Sequence, residues 1–102
     1  MANRLELHEE LCKLLGSRNA YFQPPADIRM KYPAIRYKLF DIDKLSANNK
    51  AYRLVNGYEV TYIDKNPDSD MPKKILEHFP TCSFDRWYAA ENLNHWVFTI
   101  YY

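Results

Sequence analysis

A chain of 102 residues, 47% of them hydrophobic, can build one modest core and is too short for two lobes around a deep cleft. Fourteen basic and thirteen acidic residues leave a formal charge of +1, without the basic excess of a protein that works by neutralising phosphates. Two glycines exclude Gly-rich phosphate loops, while nine Tyr, five Phe and two Trp mark a rigid body packing rings against its own rings or a partner's.

The first segment, Asn3 to Leu15, carries Leu5, Leu7, Leu11, Cys12, Leu14 and Leu15 between charges. That spacing predicts a helix, stopped by Gly16. Arg18 to Phe22 reads as a short strand. Gln23-Pro24-Pro25 ends it, because proline cannot continue a helix or a central strand, so Pro24 to Tyr32 reads as a surface crossing. Ile35, Tyr37 and Leu39 alternate with Arg36 and Lys38, the pattern of a half-buried strand. Phe40 to Asp43 continues it or peels away, and Ser46 to Lys50 is polar and turn-like.

A long strand is predicted from Ala51 to Asp64. Tyr52, Leu54, Tyr58, Val60 and Tyr62 share one parity; Arg53, Glu59 and Thr61 lie on the other. Asn56-Gly57 within it reads as a bulge or bend, since the parity persists across it. Asn66 to Asp70 is rich in capping residues. Pro72 and the spacing of Met71, Ile75, Leu76 and Phe79 then predict a second short helix, closed by Pro80. A strand from Cys82 to Tyr88, a turn over Ala89 to Asn94 and a last strand from Trp96 to Tyr101 follow. This order predicts a single α+β domain over residues 1–102. Its sheet is mainly antiparallel, of four to five strands, with two helices packed on one face.

Met1 to Glu10 carries Arg4, Glu6, Glu9 and Glu10 and no apolar signal segment, and no apolar run is long enough to span a membrane. Cys12 and Cys82 therefore read as reduced thiols. Asp41 and Asp43, at i and i+2, could hold a divalent cation, but no third acid lies nearby and a solvated loop entry accounts for them. His8 and Cys12 are spaced as helical zinc ligands, although Cys12 sits on the apolar stripe. Cys82, His95 and Asp85 could form a nucleophile, base and orienter, but Cys82 keeps core register with Phe84. Arg29, Lys31, Arg36 and Lys38, with Tyr32 and Tyr37, could make a basic aromatic patch for single strands; a charged strand face explains Arg36 and Lys38 equally. Arg86-Trp87-Tyr88 and Tyr101-Tyr102 place rings where the strand pattern ends, covering a core edge or anchoring an interface.

The overall pattern has a family likeness. Leu15-Gly16-Ser17-Arg18-Asn19, Tyr21-Phe22-Gln23-Pro24-Pro25 and Met30-Lys31-Tyr32-Pro33-Ala34-Ile35 resemble small morphogenesis proteins of long-tailed bacteriophages. So do Tyr58-Glu59-Val60-Thr61-Tyr62-Ile63-Asp64 with Asn66-Pro67-Asp68-Ser69, and Phe84-Asp85-Arg86-Trp87-Tyr88 with Asn92-Leu93-Asn94-His95. Within that cluster the chain is most similar to tail-terminator (tail-completion) proteins, with a neighbouring head–tail joining adaptor as the alternative. The resemblance implies a small α/β subunit that closes into a hexameric ring, caps the tail tube and meets the head connector. It further implies a virion protein assembled in the host cytoplasm, without catalysis, cofactor or metal. Expected partners are other copies, the major tail-tube protein and neck proteins, with no membrane and no direct nucleic-acid contact. Exposed charges and rings at element ends then make Arg53, Arg86 and Trp87, with Asp41 and Asp43 on a loop, candidate contacts to other copies or to the tube. Readings from other classes are a single-stranded nucleic-acid-binding domain and a small metal or thiol enzyme.

Overall fold

The computed structural model describes residues 3–47 and 51–102, with the side chains of residues 44–47 and 51–53 outside that description. Helix α1 (Arg4–Leu15) starts where the Asn3 side chain accepts the Glu6 N–H and ends at Gly16, whose φ of 77° suits the left-handed C-terminal turn. Leu7, Leu11 and Cys12 form its buried stripe. Leu5 lies outside that arc and is 64% exposed.

Strands β1 (Ala20–Phe22), β2 (Ala34–Ala47), β3 (Ala51–Asp64), β4 (Cys82–Ala90) and β5 (Leu93–Tyr101) form one sheet in the order β1-β2-β3-β5-β4. Only β1 and β2 pair in parallel. Helix α2 (Met71–His78) carries the chain from β3 across β5 to β4. The fold is thus α+β, a mostly antiparallel sheet with two helices. Pro72 stands in the first turn of α2, and the Ser69 hydroxyl accepts the Met71 N–H, a job the sequence suggested for any of several capping residues.

Three local expectations shift. Asp41 and Asp43 are not on a loop: β2 runs on to Ala47, and the expected turn at Ser46 to Lys50 is strand up to Ala47, with 48–50 outside the described residues. The irregularity expected at Asn56-Gly57 sits on the facing strand, where the register slips between Leu39 and Asp41 and Phe40 is the extra residue. The last turn shortens to Glu91 and Asn92, both with positive φ, which is the geometry of a tight two-residue hairpin.

One sheet face carries the main core. Leu7, Leu11, Ile75 and Phe79 of the helical layer pack on Ile35, Tyr37, Tyr58, Val60, Tyr62, Phe98 and Ile100. Each full burial of such a chain stabilises by roughly 1.5–3 kcal/mol. The Tyr37 hydroxyl is satisfied inside this core by His8 Nδ1 at 2.6 Å. Glu10 ties the layer together, accepting from the Tyr102 hydroxyl and lying 3.0 Å from His78 Nε2 on α2. On the opposite face, Ala34, Thr61, Ile63, His95 and Val97 form a second buried set. Tyr88 stacks on His95, and its hydroxyl accepts from Arg36 at 3.0 Å, so a β4–β2 bridge roofs the two strands between.

Beyond Gly57, which faces Tyr101, β5 no longer pairs with β3; β2 and β3 continue alone as a two-stranded ribbon. The surface of 6870 Å² exceeds the about 6,100 Å² of a compact protein of this mass, and the longest dimension is 50 Å.

Two outcomes test this packing. Leu11→Ala should lower unfolding free energy by about 2–5 kcal/mol in denaturant titration, because Leu11 is fully buried and the void cannot all collapse. Burial opposes ionisation of Glu10, but the hydrogen bonds from Tyr102 and His78 outweigh it and hold its carboxyl below the ordinary range. A depressed folded pKa gives stability present above the unfolded value, near 4.3 for Glu, and lost as pH falls through the folded one. Glu10→Gln should therefore flatten the acid limb of a melting-temperature profile below that pH.

Candidate functional site

The ribbon is apolar where it has no cover. Leu39, Phe40, Ile42 and Leu54 are 39%, 48%, 57% and 54% exposed. Ile42 faces Asn56 and Lys44 faces Leu54, so Ile42 and Leu54 are diagonal neighbours on the face that carries the core lower down. Asp41 and Asp43, facing Gly57 and Val55, project from the other face.

The root of the ribbon is braced. Tyr101 Oη donates to Asp41 Oδ2 at 3.0 Å, and its ring lies 6.4 Å from the Phe40 ring. Gly57 makes room for this: a Cβ there would stand 2.8 Å from Tyr101 Cε1, 3.2 Å from Asp41 Cβ and 3.3 Å from Phe40 Cε1. The glycine is needed for space, since no positive φ is involved. The bond to Asp41 also pushes the Tyr101 hydroxyl above its ordinary pKa.

The second exposed region is the outer strand. Phe84 and Trp87, facing Phe98 and Trp96, are 48% and 52% exposed on the helix-bearing face. Arg86, facing Val97, projects from the other side; it pairs with Asp85 and holds its guanidinium 5.9 Å from the Tyr88 ring centre. Arg86 and Trp87 therefore sit inside β4 rather than where strand pattern ends. Of the five candidate contact residues, Asp41 and Asp43 share the ribbon and Arg86 and Trp87 share β4. Arg53 is opposite Leu45 in the ribbon, with its side chain outside the described residues.

Sequence reasoning did not single out Phe40, Ile42 and Leu54 as surface. The usable signal was a long apolar hairpin paired with only two short helices to cover it.

The other constellations do not assemble. Cys82 faces Ile100 near one end of β5, and His95 faces Tyr88 near the other, on the opposite sheet face. Burial raises the Cys82 thiol to about 11, so it stays protonated at neutral pH. His8 bonds Tyr37 and Cys12 is buried in the core, and no cluster of three metal-ligating side chains occurs among the described residues. Tyr37 is 1% exposed on the helix face, while Arg36 and Lys38 project from the other, so Tyr37 does not join them in a basic aromatic patch, and the charged strand face accounts for both. Arg36 and Lys38 instead line an open groove of about 470 Å³, facing Pro24, Ile28 and Met30 of the surface crossing. Glu59, the cross-strand partner of Lys38, offsets the charge there. Among the described residues no helix is long and apolar enough to cross a membrane.

No family model, curated protein or solved structure matches the chain.

The root of the ribbon gives a direct test. Gly57→Ala should destabilise by about 1–3 kcal/mol, the usual range for a forced overlap. Tyr101→Ala removes the atom in the way, so the double variant should lose less than the sum of the singles in a thermodynamic cycle read by chemical unfolding.

Proposed function

We propose that this chain is a structural subunit of a long-tailed bacteriophage particle, a tail terminator that closes into a ring, caps the tail tube and joins it to the head connector. The observation that carries this reading is the ribbon. It leaves the body with Ile42 and Leu54 about half exposed on one face and Phe40 half exposed at its root, and a two-stranded ribbon with such apolar exposure is marginal in water until something covers it. A ring subunit supplies the cover from its neighbours. Its contacts join two different surfaces, and the ribbon and the outer strand are two such surfaces among the described residues. The resemblance over nearly the whole chain supports the same reading. In this role the protein needs no catalytic group and no cofactor, and its charge of +1 suits contacts with protein rather than with DNA.

Electron microscopy of particles made without this protein tests the assignment. Loss of a terminator should give overlong tubes unattached to heads. Filled heads that leak would point to the neighbouring head–tail adaptor, and normal particles would overturn both.

A further inference from the structure

We propose that the ribbon of one copy lies along the outer edge of β4 in the next copy and continues its sheet, with Ile42 and Leu54 against Phe84 and Trp87 on one face and Asp43 against Arg86 on the other. This rests on the ring-subunit reading and names the contact that builds the ring.

Strand β4 ends the sheet, so its outer row of N–H and C=O groups has no strand beside it among the described residues. The ribbon also has open edges: β1 reaches β2 only as far as Tyr37, and β5 reaches β3 only as far as Gly57. A strand added at an edge brings residues of the same face side by side. On the helix-bearing face the ribbon shows Ile42 and Leu54, and β4 shows Phe84 and Trp87, each 48–57% exposed. On the other face the ribbon shows Asp41 and Asp43, and β4 shows Arg86. Continuing the sheet thus matches apolar with apolar on one side and acid with base on the other. A flipped approach would set Ile42 against Arg86 and Asp43 against Trp87.

The contact cannot form within one chain, because β5 separates β3 from β4. It is head to tail, ribbon of one copy to β4 of another, which is the kind that closes into a ring. The register slip between Phe84 and Arg86 blunts the edge against casual strands; Arg86–Ala90 is in regular register beyond it, and Phe84 flanks that stretch on the same face as Trp87. Asp41 is held by Tyr101, so Asp43, which has no hydrogen-bond or ion-pair partner among the described residues, is the carboxylate offered to Arg86. Arg86 gives up little on engaging it, since its pairing with Asp85 joins two half-exposed side chains.

Sedimentation of the purified full chain tests this, using Asp43→Lys, Arg86→Glu, the double variant and an equimolar mixture of the two single variants, with circular dichroism to show that each is folded. The native chain should self-associate. Each single variant should associate at least about tenfold more weakly, because like charges then face each other. The double variant and the mixture should recover, since both again set opposite charges across the contact. Single variants that associate like the native chain, a mixture that stays dissociated, or a native chain that is monomeric at every concentration would each overturn the contact. Self-association indifferent to these charges leaves the ring reading standing, while normal particles made without the protein remove the ring reading itself.

Discussion

A helix rises about 1.5 Å per residue and a strand about 3.3 Å, so helices of twelve and eight residues are about 18 Å and 12 Å long. A fourteen-residue strand is about 46 Å long. Two such helices therefore cannot cover a hairpin made of two such strands, however they pack. The body of the protein is the part where the lengths match: Tyr58, Val60 and Tyr62 lie under α1 and α2 and are almost wholly buried. The ribbon is the remainder. Its exposed Ile42 and Leu54 follow from that mismatch, and the large surface area and the 50 Å length are the same fact seen from outside.

This also explains which parts of the structure could be read from the residues. Period and parity report which way a side chain points, and they located both helices, the sheet class and the alternation of Tyr58, Val60 and Tyr62. They do not report whether anything lies above that face. Leu54 has the parity of the core and is 54% exposed, because its face has run past the helices. The same limit applies to Trp87, whose strand partner Trp96 packs on the core while Trp87 itself stands at the open side of the last strand. Phe40 to Asp43 reads as continued strand or as chain peeling away, and the alternate charges of Asp41 and Asp43 tip that reading toward loop, because charge signals solvent. In a ribbon wet on both faces that signal no longer separates strand from loop. The bulge was legible only as an anomaly at Gly57. What fills the space beside it, the Tyr101 ring from β5, belongs to a residue 44 positions from Gly57.

The bracing at Gly57 gives the overhang a mechanical sense. A free two-stranded ribbon twists and bends easily, and a head-to-tail contact closes into a circle only if the angle between its two surfaces is held. Here the direction in which the ribbon leaves the body is fixed at one place. Tyr101 leaves β5, crosses Gly57 and bonds Asp41, while Tyr102 donates its N–H to the Asn56 carbonyl and its hydroxyl to Glu10 of α1. Two adjacent tyrosines thus pin the ribbon root to the sheet on one side and to the helical layer on the other. Burial and the bond to Glu10 push the Tyr102 hydroxyl to about 12, so it remains a donor at any physiological pH. Within the proposed ring the tyrosine pair therefore has a task distinct from that of Ile42, Leu54 and Asp43. Those residues would make the contact, while Tyr101 and Tyr102 decide where the ribbon that carries it can reach.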